Sequence, residues 1–174
     1  MVIKMKNKNL YNYIFTAFFV AIIAIFSQIA IPFGPIPLTL QTFAVALAGY
    51  TLERKYAVLS ILVYLALGAV GMPVFSNFKG GISAFFGATG GFLIGFLLLV
   101  LLCTFGKGKS KIIYSLLGLI LCHLCGVIWF SFILSNSIWQ AFLISSLPYI
   151  LKDLISLIFA NFISNSIRKH ISKP

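Results

Sequence analysis

GAVGMPVFSNFKGGISAFFGATGGFLIG, residues 68–95, is the stretch on which the reading of this chain turns. It holds eight glycines, yet strongly apolar sequence flanks it on both sides. Glycine admits positive φ and lets other groups come close to the backbone. Between two membrane-grade helices, irregular backbone is tolerated only where protein buries it or where it lines a cavity. The stretch also carries Asn77 and Lys79, polar side chains for which a purely structural turn has no use. It therefore reads as a ligand-facing loop, re-entrant or capping a binding site. The plainer reading is an ordinary outer turn.

The composition outside this stretch says what surrounds it. Of 174 residues, 61% are hydrophobic and only 9% are charged, against about 25% charged in a soluble domain. Mean hydropathy is +1.10. The apolar runs approach the roughly 20 residues that a spanning helix needs. The chain reads as an all-α integral membrane protein of one domain, residues 1–174. Net charge is +11, from 13 basic and 2 acidic residues. In a soluble protein that balance points to nucleic acid. Here the charges fall between apolar runs, so orientation in the lipid bilayer accounts for them and no nucleic-acid partner is expected. The first apolar run, 10–31, exceeds the roughly 7–15 residues of a signal-peptide core and shows no clear cleavage motif.

Six spans are expected, at about 10–31, 38–52, 56–74, 83–105, 112–134 and 138–163. With the N-terminus inside, eleven of the 13 basic residues lie in or beside cytoplasmic segments, leaving only Lys79 and Lys152. That puts both termini in the cytoplasm and turns the loops at 31–38, 74–82 and 135–137 outward. The loop IPFGPIPL at 31–38 has three prolines and must be stiff. Thr39-Leu40-Gln41-Thr42 then opens the second span, where its polar groups face a ligand or satisfy helix-end amides. In the first span Ala17 and Ala21 are four apart, so one face admits another helix closely. A chance pair of alanines is the equally good alternative.

Two acids remain. Glu53 sits beside Arg54 and Lys55 in a cytoplasmic turn. Asp153 falls about halfway along the expected sixth span, where a carboxylate costs about 2.5–3.5 kcal/mol on insertion scales and needs a partner or a polar cavity. Lys152 adjoins it, and Ser156 lies one turn on. These groups either lock two helices through an internal ion pair or form a ligand or ion site. A carboxylate, an amide at Asn77 and a lysine suit a small anion that carries N–H donors. Asp153 accepts, Asn77 donates and accepts, and Lys152 or Lys79 pairs with a ligand carboxylate. Phe33, Phe75, Phe78 and Phe92 are available to cover an apolar ring. No nucleophile–base pair or metal-ligand spacing stands out, so neither a catalytic site nor a metal site is expected. Nothing in the spacing brings His123 to Asp153. Cys122 and Cys125 have CxxC spacing, but inside an apolar run, where small residues serve helix contact. Gly108-Lys109-Ser110 lacks the upstream glycine and strand of a phosphate loop.

At these residues the chain resembles the BioY family, the biotin-binding S components of energy-coupling factor (ECF) vitamin transporters. The resemblance covers nearly the whole chain. It rests on Ile31-Pro32, Pro37 to Thr42, Tyr64, Gly68 to Phe75, Gly80-Gly81, Gly87 to Phe96, Pro148 and Asp153. It implies an S-component-like bundle in the bacterial plasma membrane that binds biotin from outside and needs no cofactor. Asp153 and Asn77 would hold the ureido ring, and Lys152 or Lys79 the valerate carboxylate. Thr39, Gln41, Gly80, Gly81, Thr89 and Phe92 would line the site. It further implies an ECF transmembrane coupling subunit, docked at Ala17 and Ala21, and two ATPase subunits that hydrolyse ATP while this chain is no enzyme. There are departures. Ala88 stands where the family usually has proline, and Phe92 where it has tyrosine. Lys152 stands where glycine is frequent, and Ser156 where a lysine follows the aspartate, as if the cation had moved one turn. The alternative is a stand-alone, ion-coupled transporter of a small anionic vitamin, with Asp153 as the ion carrier. The absence of a clear inverted repeat argues mildly against it.

Overall fold

The computed structural model describes residues 8–106, 108–135 and 137–171. Lys4, Lys6, Lys107 and Lys173, which the orientation count uses, and Asn136 of the expected outer turn lie outside these. Seven α-helices occur among the described residues. They are α1 (Lys8–Gln28), α2 (Gln41–Thr51), α3 (Arg54–Ala69), α4 (Gly90–Cys103), α5 (Lys109–Leu134), α6 (Ile138–Ser145) and α7 (Leu147–Ile171). A two-residue hairpin joins α1 to α2: β1 (Ala30–Ile31) runs antiparallel to β2 (Leu38–Thr39), with Ala30 opposite Thr39. Among the described residues, three helices are long and apolar enough to cross a membrane, at Lys8–Gln28, Ser110–Leu134 and Leu147–Ile167; α4 is as apolar in kind but shorter.

The centre of the bundle is α2. Nine of its 11 residues are buried, Ala44, Ala46, Ala48 and Gly49 among them. Small side chains let neighbours close in: a Cβ at Gly49 would stand 2.6 Å from Cys103 Cβ. The most extensive helix contact is that of α4 with α5. A Cβ at Gly95 would lie 2.9 Å from the Cys122 Cα, and one at Gly91 would lie 2.3 Å from Trp129 Cβ. Two glycines one turn apart thus let the α5 backbone sit against α4, the membrane form of helix packing.

Two expected spans differ in the structure. The run at 83–105 is helical only from Gly90, because a separate single turn at Ile82–Ala84 and the bends after it come first. The run at 138–163 is two helices. Pro148 has no N–H to continue the ladder, and Ser146 leaves helical geometry at φ −124 and ψ −54. The new helix takes the Ser146 carbonyl as its first acceptor, from Tyr149 N at 2.9 Å and Ile150 N at 3.2 Å. Asp153 is therefore in the second turn of α7, not halfway along a continuous helix.

The glycine-rich loop is held from several sides. Ser27 Oγ donates to the Val74 carbonyl at 2.5 Å, and Tyr64 OH donates to the same oxygen at 3.1 Å. Gln28 donates to the Phe75 carbonyl at 3.0 Å and accepts from Phe78 N at 2.9 Å. Gly80 is required by space, since a Cβ there would be 2.3 Å from the Met72 carbonyl oxygen.

Candidate functional site

A cavity of about 60 Å³ lies where β2, the start of α2, α4, α5, the end of α6 and the start of α7 converge. Its wall is mixed. Phe75, Phe92, Phe96 and Leu93 supply apolar surface, and Thr39, Gln41, Thr89, His123, Ser145, Lys152 and Asp153 supply polar groups. Pockets for small organic ligands usually measure about 300–1,000 Å³, so the wall side chains here stand close together.

Asp153 is the charge at the centre of the wall. It is 5% exposed, and α7 and α5 both serve it. Lys152 Nζ pairs with Oδ1, and His123 Nε2 stands 3.2 Å from Oδ2. A carboxylate oxygen only accepts, so the Nε2 proton points at Asp153. His123 Nδ1 lies 2.6 Å from Ser146 Oγ; in the neutral ring it accepts that hydroxyl's proton. Phe92 meets the imidazole edge-on, with ring centroids 5.8 Å apart. Lys152 has a second bond, to the Thr39 carbonyl at 2.8 Å. Adjacent residues on a helix diverge, so this pairing needs the lysine stem to bend back across the turn.

The break between α6 and α7 also delivers hydroxyls. Ser145 and Ser146 are both fully buried. Ser146 is taken by His123. Ser145 lines the cavity, and its hydroxyl has no hydrogen-bond partner. On the other wall Gln41 donates to Tyr64 OH at 2.7 Å, which places the Gln41 head between the cavity and the glycine-rich loop.

Of the residues expected from sequence, Asp153, Lys152, Gln41, Thr39, Thr89 and Phe92 line this cavity. Asn77, Lys79, Gly80 and Gly81 do not. Asn77 and Lys79 are exposed, and Asn77 adopts left-handed backbone at φ 59. Ser76 and Phe75, just before them, are on the cavity wall, so the segment borders the site without entering it. Ser156 is buried but faces elsewhere, beside Lys152 and Phe43. Ala17 and Ala21 are exposed on α1, flanked by exposed Ile14, Phe18 and Ile25. Sequence reasoning left out Tyr149, Ser145 and the pairing of His123 with Asp153. The last had a signal, because an ionisable side chain inside an apolar helix needs a partner. Tyr149 lies one turn before Asp153 on the same face of α7.

The BioY family model matches residues 3–173. This chain belongs to the BioY family. Its BioY relatives match over most of their length. A protein of Pyrococcus horikoshii, named a probable biotin transporter BioY, is 42% identical over 80% of this chain and 85% of its own. The biotin transporter BioY of Thermotoga maritima is 38% identical over 87% of this chain and 92% of its own. Among solved structures, the S component for biotin from an ECF-type ABC transporter superposes with a TM-score of 0.85 at 31% identity. That match covers 95% of this BioY chain and 94% of the other. Of the positions where the sequence reading expects this chain to depart from other BioY proteins, Phe92 and Lys152 line the cavity with Asp153, whereas Ser156 faces away from it.

Proposed function

We propose that this protein binds biotin and carries it into the cell as the S component of an ECF transporter. The observation that carries the reading is the buried Asp153 carboxylate, set in a mixed polar and aromatic cavity beneath the hairpin loop. Biotin offers what such a wall recognises: two ureido N–H donors, an apolar bicycle and a carboxylate. Asp153 accepts from the ureido group, the Phe75, Phe92 and Phe96 rings cover the bicycle, and Lys152 takes the carboxylate. Thr39, Gln41 and Thr89 supply further polar contacts. Asn77, Lys79, Gly80 and Gly81 reach the ligand when the 74–82 segment folds over the mouth. The names of the BioY relatives and of the solved S component support the choice of biotin.

In the bilayer the chain crosses six times, by α1 to α5 and α7, with α6 as a short helix before the last crossing. Both termini are cytoplasmic, and the hairpin and glycine-rich loops face out. The membrane is the bacterial plasma membrane. The exposed face of α1 around Ala17 and Ala21 docks the transmembrane coupling subunit, and two ATPase subunits supply the energy. This chain holds the ligand and performs no chemistry on it.

Calorimetric titration of the detergent-purified chain with biotin, thiamine and riboflavin tests the assignment. Tight binding of biotin alone is expected. Equal or absent binding of all three would overturn it. Uptake by this chain alone in proteoliposomes, abolished by an uncoupler, would instead favour an ion-coupled carrier using the His123–Asp153 pair.

A further inference from the structure

Asp153 has two partners of different kind, and only one is free to leave. Lys152 is partly exposed, with 19% of its side chain accessible, and its other bond goes to the Thr39 backbone carbonyl on the cavity wall. His123 is buried and held from behind by Ser146, with Phe92 against its ring. One lysine cannot give its full charge to the Asp153 carboxylate and to a ligand carboxylate at once.

We propose that Lys152 is an exchangeable counter-ion, and that His123 is the positioning residue that makes the exchange possible. The inference rests on the biotin reading above. In the empty site Lys152 neutralises Asp153. When a carboxylate ligand enters, Lys152 swings from Asp153 and Thr39 to the ligand. That movement also opens space in a cavity of only about 60 Å³. Asp153 would then be a buried anion stripped of its partner, which is strongly unfavourable. His123 prevents this. Its Nε2–H stays on Oδ2, Ser146 holds the ring in that tautomer, and the freed Oδ1 turns to the ureido N–H donors of the ligand. The chain Ser146–His123–Asp153 thus keeps a fixed N–H donor on the far side of the carboxylate while Lys152 is away.

The geometry makes the value of His123 depend on the ligand's own carboxylate. Biotin methyl ester keeps the ureido ring but gives Lys152 no anion to follow, so Lys152 stays on Asp153. A merely structural histidine would matter equally for both ligands.

The test is calorimetric titration of the purified full chain with biotin and with biotin methyl ester, for wild type, His123→Leu, His123→Gln and Ser146→Ala. Wild type binds biotin more tightly than the ester. In His123→Leu biotin affinity should fall by about a hundredfold, the scale of an uncompensated buried charge, and the preference for biotin over the ester should shrink about tenfold or more. His123→Gln, which keeps an N–H donor, should restore most of that preference. Ser146→Ala should reduce it in the same direction but less, and it tests the idea if His123→Leu does not fold. Equal losses for the two ligands in every folded variant would overturn the inference while leaving biotin binding intact. Wild type that binds neither ligand would overturn the biotin reading itself, and this inference with it.

Discussion

The Tyr149 hydroxyl donates to the Phe33 carbonyl at 2.8 Å, so the first turn of α7 holds the proline-rich 31–38 loop in place. The Ile36 carbonyl shares the same proton. Phe33 also packs edge-on against the Tyr149 ring, at 6.3 Å between centroids. One side chain beside Asp153 in the cavity wall thereby joins the candidate site to the 31–38 loop. Tyr149→Phe keeps the ring and removes the tie. Biotin release, followed by stopped-flow competition, should speed up by about fivefold, the equivalent of roughly 1 kcal/mol for a hydrogen bond. Unchanged release would mean that proline stiffness alone holds the loop.

Asp153→Ala removes the central acceptor and leaves Lys152 and His123 facing an empty place. Loss of a charged hydrogen-bond partner costs about 1.5–3 kcal/mol or more, so biotin Kd should rise by at least about tenfold. Retained wild-type affinity by calorimetry would remove Asp153 from the site.

Ser145 offers a sharper discrimination between folding and binding. Its hydroxyl is buried without a partner, and such a group destabilises the empty protein. Ser145→Ala should therefore leave Tm unchanged or raise it slightly. If the hydroxyl finds its partner in the ligand, biotin affinity should fall by about fivefold in the same variant. A drop in Tm with unchanged affinity would reverse both halves of the argument.

Gly95 tests the helix contact behind the site. A leucine there would drive its Cβ to 2.9 Å from the Cys122 backbone, next to His123. Helix pairs that meet through small residues cannot reopen cheaply. Gly95→Leu should lower the monodisperse fraction on size-exclusion chromatography and abolish biotin binding, whereas Gly34→Ala, with nothing near its Cβ position, should cost only the strain of a positive φ in a loop.

The proposed docking face on α1 can be tested apart from binding. Ala17→Trp and Ala21→Trp enlarge an exposed face and touch nothing in the cavity wall. Cellular biotin uptake should be lost, with biotin affinity of the purified chain retained. Normal uptake by both variants would move the coupling surface elsewhere.

Much of the candidate site was legible as chemistry before it was legible as geometry. Asp153 and Lys152 stand out because charge is rare in this chain, and membrane burial makes each charge demand a reason. Thr39, Gln41, Thr89 and Phe92 were visible as polar or aromatic residues at loop–helix junctions. Asn77 and Lys79 show the limit. They are as polar as the others, yet the turn that Gln28, Ser27 and Tyr64 hold at 74–78 presents them outward. Polarity says that a side chain needs a partner, not which way a loop will aim it.

Hydrophobic run lengths, the scarcity of charge, and the positions of glycine and proline determine by themselves that this chain is a set of apolar helices with a glycine-rich loop, and that one carboxylate, Asp153, falls inside an apolar run. These are local properties, set by bilayer burial and backbone sterics within a few residues. The tertiary structure alone decided that His123 meets Asp153, thirty residues later in sequence, and that Ser146 stands behind the ring. It also decided that Tyr149 reaches back to Phe33. Those contacts depend on the angle at which α5 and α7 meet around α2. Close glycine contacts between α4 and α5 and the break at Ser146 before Pro148 place these side chains, through packing across the bundle rather than through any pattern along one helix.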